Sequence, residues 1–293
     1  MTEQQGLVLL ETAVTQKRLP REALDVIERA GKPGQLALGM PIDHSSPRNL
    51  FLVTLMPDDS SSNLVVVKLR ERTSIFDSSK YEVVSAENDD PRSNAEIMRI
   101  GHNSVREALM VDPRRDTILF RTRYLNGFEL NPWGPIANAQ DMTRKNYNPQ
   151  LGTPLFQETV NTLSSVLAKE EEARKTRKIV TTATLIITDG GDTDYNQPGA
   201  IQAKDVAVVV QAMRVKKNHI VAGMAIEDGS TNVKEVLRSM GIEDRWILNP
   251  GMTQDEIRKA FSDFGTMARA AADPEQFQLL LESGFHRGLP TGQ

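Results

Sequence analysis

Three short segments of the chain carry oxygen-bearing side chains at spacings that could converge on one hard cation. The first is Asp58-x-Ser60-x-Ser62, whose alternation lets a tight loop direct three short side chains towards one point. The second is Thr153, within Leu151-Gly152-Thr153-Pro154-Leu155 at the entrance to a helical pattern, and the third is Asp189, in Thr188-Asp189-Gly190-Gly191 after a buried apolar run. The reach of these side chains is too small to wrap a large ion. Two hydroxyls, one or two carboxylates and retained waters suit octahedral Mg²⁺ first and Mn²⁺ second, better than Ca²⁺, which takes about six to eight oxygens. The chain has no cysteine, so thiolate sites and disulfides are excluded and any metal rests on oxygen or imidazole.

Taken singly, each segment has an ordinary reading. Threonine before proline is a common helix cap, and Asp-Gly after a strand is a common turn. Their joint occurrence, in order and after the right elements, gives them weight. The neighbouring acids read as structural: Asp59 as a solvated loop acid, and Asp192 and Asp194 as turn residues, because that segment lacks the bidentate glutamate of a calcium loop. His102 and His219 read as a helix-surface and a strand-end residue rather than as ligands. The basic clusters Lys175-Arg177-Lys178 and Arg214-Lys216-Lys217 fall at helix carboxyl ends, where cations complement the helix dipole, and read as structural rather than RNA-contacting.

Such a site needs elements to position it. Leu50 to Met56 is apolar on both faces, as in a strand buried within a parallel sheet, and runs directly into the Asp58 loop. Before it lie two helical patterns, 4–17 and 20–31, the second opened by Pro20 and closed by Gly31. Between Leu64 and Arg92 the pattern is poor: Leu64 to Arg72 could be a strand, and the remainder reads as an exposed loop. A capping box at Ser93-x-x-Glu96 then opens a helix with Ile97, Ile100, Val105, Ala108 and Leu109 on one face. Thr117 to Leu125 joins Phe128-Glu129-Leu130 through Asn126-Gly127, the strongest short hairpin signal, which puts one antiparallel strand in the sheet.

From Thr153 onward the patterns alternate: helix 154–168, strand 180–188, helix 200–216, strand 219–226, helix 232–240, strand 245–248, helix 254–271, and a last short helix over 277–281 before a Gly/Pro tail. The run Val206 to Val210 resembles a strand, but Val206, Val209, Val210 and Met213 recur at helical spacing. The alternation predicts an α/β fold: a doubly wound, mostly parallel central sheet with one antiparallel strand and helices on both faces, Rossmann-like. In such sheets ligands bind beyond the carboxyl ends of the strands, near the switch in strand order.

With 39% apolar and 25% charged residues over 293 positions, the composition is that of a globular protein. A formal charge of −4 does not recommend a polyanion, so nucleic acid is not the expected partner. The N-terminus is acidic where a signal peptide would be basic, and no apolar stretch approaches the roughly 20 residues that cross a bilayer. A soluble, cytoplasmic protein without membrane contact is expected.

The Asp-x-Ser-x-Ser loop, Thr153, Asp189 and the Asn-Gly hairpin together resemble the von Willebrand factor type A (vWA) family with its metal-ion-dependent adhesion site (MIDAS). The resemblance covers about residues 48–271, with 1–47 as an N-terminal helical arm, 63–92 as an insertion after the metal loop, and 272–293 as a short helix and tail. It implies that Ser60 and Ser62 bind Mg²⁺ directly, and that Thr153, Asp58 and Asp189 bind it directly or through water. It implies further that an Asp or Glu of a protein partner completes the coordination. The chain would then be a non-catalytic adaptor in a larger intracellular bacterial assembly, such as an AAA+ ATPase, stress or defence system. Two departures stand out: about thirty residues (Asn63 to Arg92) separate the Ser-x-Ser turn from the next helix, and Ser61 stands where glycine is usual. Two other functions compete. A metal-dependent phosphoester hydrolase would need a general base, for which Asp59 is the sole nearby candidate. An RNA-binding vWA protein would need a long helical-repeat region, for which these flanks are too short.

Overall fold

The computed structural model describes residues 3–31, 39–69, 81–88, 90–194, 196–226, 231–251 and 253–286. The middle of the expected insertion, 70–80, and the Gly/Pro tail, 287–293, lie outside the described residues. Two helices, α1 (Glu3–Thr15) and α2 (Arg21–Ala30), come first, and α2 starts after Pro20 and stops at Gly31 as those residue types require. Strand β1 (Asn49–Met56) is buried from Leu50 to Met56 because a strand packs on each side of it and helices cover both faces. After the Asp58 loop, β2 (Val65–Leu69) and β3 (Tyr81–Ser85) pair antiparallel as a ribbon separate from the main sheet. The exposed loop expected there is corrected in part. Residues 81–85 are extended because they complete a ladder with 65–69, and a partner that far away leaves no local signature.

Helix α3 (Asn94–Met110) opens at Ser93, whose Oγ accepts the Glu96 N–H, but the Glu96 carboxylate turns to Arg99 and Arg144, so half of the capping box forms. Its buried stripe holds Ile97, Val105 and Leu109 as expected. Ile100 is exposed, however, and His102, read as a surface residue, is buried. Gly101 explains the shift of the stripe, since a Cβ there would lie 2.1 Å from the Phe261 ring of a facing helix. Backbones can approach closely on that side alone.

Strands β4 (Ile118–Arg123) and β5 (Glu129–Pro135) form the expected hairpin, with Gly127 at a φ of +87° that glycine adopts freely. The alternation continues through α4 (Leu155–Lys175), β6 (Ile179–Thr188), α5 (Ala203–Val215), β7 (His219–Ile226), α6 (Val233–Ser239), β8 (Ile247–Gly251) and α7 (Gln254–Ala271), and α8 (Pro274–Ser283) follows. The valine run is helical, as its period requires. Strand β8 starts after the expected Arg245 because Asp244–Trp246 form a 3₁₀ turn.

The sheet order is β5-β4-β1-β6-β7-β8, with β5 antiparallel and the other five strands parallel. Helices α3 and α7 pack together on one face and α4 and α5 on the other, which gives the doubly wound, Rossmann-like α/β fold read from the sequence. Helices α1 and α2 lie over α4 and α5 as an additional layer. Among the described residues no helix is long and apolar enough to cross a membrane.

That outer layer changes α4. The expected helix stops at 168, before the charge run Lys169-Glu170-Glu171-Glu172. Yet every residue from Leu155 to Ala173 except Gln157 is buried. Each charge has a partner: Glu171 holds Arg18 of the α1–α2 turn, and Glu172 accepts the Ile42 N–H at 3.0 Å and pairs with Lys169 at 2.8 Å. Glu170 takes Lys216, Arg174 at 2.7 Å and Asn218 at 2.9 Å. Buried charges persist only when paired in this way.

His102 makes a testable reporter of the core. Its Nε2 meets Thr122 Oγ1 at 2.8 Å, and burial drives its pKa from the ordinary 6.5 down to about 4. Below pH 6.5 the unfolded chain takes up a proton that the folded chain refuses, so stability falls as the pH drops towards 4, by up to about 3 kcal/mol. Urea unfolding across this window should show a steeper acid loss for the native chain than for His102→Gln. Equal slopes would refute the assignment.

Candidate metal centre

Strand β1 pairs with β4 on one side and β6 on the other, so the chain's path reverses between β1 and β6 and leaves a crevice at their carboxyl ends. The loops carrying Asp58 and Asp189 open there, beside the entrance to α4. Asp58 is fully buried; its Oδ1 accepts the Ser60 N–H at 2.8 Å and its Oδ2 accepts the Thr188 hydroxyl at 2.9 Å. The Asp58 carbonyl accepts the buried Tyr147 hydroxyl and, at 3.2 Å, Asn63 Nδ2. Residues Ser61–Asn63 close the loop as a 3₁₀ turn. Ser61 has no positive φ, so a side chain is accommodated there without backbone strain.

From this base the hydroxyls project together. Ser60 Oγ lies 2.6 Å from Ser62 Oγ, and Ser62 Oγ donates to Asp189 Oδ1 at 2.8 Å. Asp58, Ser60, Ser62 and Asp189 thus form one connected group. Thr153, also buried, is brought alongside through backbone: Ser60 bridges to Leu151, the Ser61 N–H donates to the Leu151 carbonyl at 3.1 Å, and the Thr193 N–H donates to the Thr153 carbonyl at 2.9 Å.

The structure revises three neighbours. The α4 amino end is capped by Asp192, whose Oδ1 accepts the Phe156 N–H at 3.1 Å, so Thr153 is relieved of the capping role its sequence position suggests. Asp59 is buried rather than solvated and accepts the backbone and side-chain N–H groups of Asn126 at 3.0 and 2.8 Å. Asn126 Nδ2 donates also to the Gly152 carbonyl at 2.8 Å, which ties the β4–β5 hairpin to the α4 entrance. Thr188, Tyr147, Asn126 and Asp192 all support the site. Of these, only Thr188, next to Asp189, carries a local signal.

Burial raises the carboxyl pKa values of Asp58, Asp59 and Asp192, with Asp59 adding to the rise at Asp58 and Glu158 to that at Asp59. The Tyr147 phenol is also raised, first by burial and then by Asp58, Asp59 and Asp189. Accumulated buried acidity of this kind is relieved by a cation. Among the described residues no group of three His, Asp or Glu side chains forms a ligand set, so a cation would depend on hydroxyls as well as carboxylates. The separations of 2.6 and 2.8 Å are those of ordinary hydrogen bonds and bring three oxygens within reach of one ion. Hydroxyl and carboxylate oxygens are the donors that hard cations take. Ser61 and Ser62 are exposed, and a Cβ on Gly190 or Gly191 would meet nothing within 4 Å, so there is space beside the group.

No family model matches the chain, and no curated protein matches it in sequence. Among solved structures it is similar to the pilus adhesin SpaC from Lactobacillus rhamnosus GG in its open conformation, with a TM-score of 0.50 and 10% identity. The similarity covers 76% of this chain and 30% of the adhesin, so the chain spans less than a third of that protein's length. At this identity the likeness concerns the fold.

The division of labour between Asp192 and Thr153 is measurable. Asp192→Ala should lower stability by about 1 kcal/mol through the lost cap. Thr153→Ala should leave the urea midpoint much closer to that of the native chain; the reverse order would return the cap to Thr153.

Proposed function

We propose that the chain is a non-catalytic, metal-dependent protein-interaction module. In this reading Asp58, Ser60, Ser62, Thr153 and Asp189 hold Mg²⁺, with Mn²⁺ able to substitute, and a partner's Asp or Glu completes the coordination. The observation that carries it is the contiguity of Ser60 Oγ, Ser62 Oγ and Asp189 Oδ1 above a buried Asp58, at the switch in strand order. Ser62, exposed, and Ser60, buried beside it, offer neutral oxygens, while both Asp58 oxygens are occupied by Ser60 and Thr188, which suits Asp58 to binding through water. A bound Mg²⁺ would supply residual positive charge, because neutral hydroxyls offset it incompletely, and that charge attracts a carboxylate. Asp59 is held by Asn126 from two donors, which leaves it poorly suited to act as a general base and favours binding over phosphoester hydrolysis. The setting we favour is a cytoplasmic bacterial assembly in which the module is an adaptor.

Calorimetric titration with MgCl₂ should give one site in the native chain, none in Asp58→Ala or Ser62→Ala, and a weakened one in Thr153→Ala. Partner capture in Mg²⁺ should be lost both in EDTA and with Asp58→Ala. Equal Mg²⁺ heats for the native chain and Ser62→Ala, or capture indifferent to EDTA, would overturn the proposal.

A further inference from the structure

A second concave site lies along α5, under the α1–α2 turn, and reaches the amino end of β6. The α1–α2 turn, the first residues of β6, the carboxyl end of α4 and the length of α5 enclose a half-open cavity of about 1200 Å³. Val14, Leu19, Val180 and Val208 give it an apolar lining, with Ile179 and Val215 at the wall, 53% and 69% exposed. Seven cationic side chains line it against two carboxylates, in a chain whose formal charge is −4. Arg174 and Lys216 are offset by Glu170 and lie at the negative ends of α4 and α5. Arg18 is paired with Glu171 and Arg21 with Asp25 and Glu28, which leaves three lysines. Lys17 and Lys204 are exposed and in no ion pair among the described residues, and Lys178 donates to the carbonyls of His44 and Ser46 rather than to an acid. Lys204 sits in the first turn of α5, where the helix dipole disfavours a cation.

We infer that this cavity docks an acidic amphipathic helix of a partner protein. The apolar side of that helix faces Leu19 and Val208, and its carboxylates meet Lys17, Lys178 and Lys204. The spread of charge selects this occupant. Lys17 follows α1, Lys178 follows α4 and Lys204 opens α5, so the cations without an acidic partner stand on three elements rather than at one point. A small anionic amphiphile concentrates its charge at one headgroup, and a nucleic acid would call for aromatic stacking partners, whereas no aromatic residue lines the cavity. A half-open trough with an apolar floor and a charged rim is the form of a helix-in-groove site.

The inference is independent of the metal reading, and its test keeps the two apart. A random peptide library is selected on the full chain in EDTA, and the enriched peptide is titrated by fluorescence anisotropy. Acidic peptides with apolar residues at helical spacing should be enriched. The charge reversal Lys17→Glu with Lys204→Glu should weaken the peptide at least about tenfold without moving the urea midpoint. Asp58→Ala and added Mg²⁺ should leave it unchanged. Selection without acidic enrichment, or equal binding by the charge-reversed variant, would overturn the inference. So would stoichiometric dodecanoate binding that displaces the peptide, which would assign the cavity to a small amphiphile.

Discussion

The carboxylate of Asp58 is the fixed point on which the candidate site depends. The parallel register of β1 and β6 sets Met56 opposite Ile186, so Asp58 and Thr188 stand together two residues further on. A carboxylate wholly removed from solvent must have both oxygens satisfied, and here one closes the Ser60 turn and the other clasps Thr188. The strand ends are thereby held at one spacing, and Ser62 reaches Asp189 across the crevice. The remaining bonds brace this arrangement from outside. Tyr147 and Asn63 secure the Asp58 carbonyl, Asn126 links Asp59 to Gly152, and Asp192 caps the amino end of α4 beside Thr153.

The long central helix carries that order through the molecule. Helix α4 starts at the candidate site and finishes beside the cationic cavity, buried along almost its whole length. Its three consecutive glutamates reach different neighbours, namely the α1–α2 turn, the segment before β1 and the α5–β7 connection. Stripping any one of them of its partners would leave an unpaired charge in the interior, which is costly.

Much of this was legible in the residues themselves. The fully apolar runs at Leu50 to Met56 and His219 to Ile226 are strands, the Asn126-Gly127 turn closes a hairpin, and the valine run of α5 is helical, each for a reason contained within a few neighbours. Alternation of those patterns then fixes the doubly wound sheet. The proximity of Asp58, Ser60, Ser62 and Asp189 was likewise readable, because both loops leave the carboxyl ends of strands that the pattern identifies.

What required the tertiary structure was burial and partnership. Asp59 reads as a solvated acid until the hairpin brings Asn126 onto it. Likewise Thr153 reads as a cap until Asp192 arrives from a loop far along the chain. His102 reads as a surface residue because it is polar, yet it packs on Thr122 and Phe120 of β4, and the α1–α2 layer covers the charge run Lys169 to Glu172 beyond the expected end of α4. Sequence periodicity specifies which face of an element is apolar, and through it the order of strands and helices. It carries no record of which distant group will neutralise a charge, since that pairing exists only once the elements have packed.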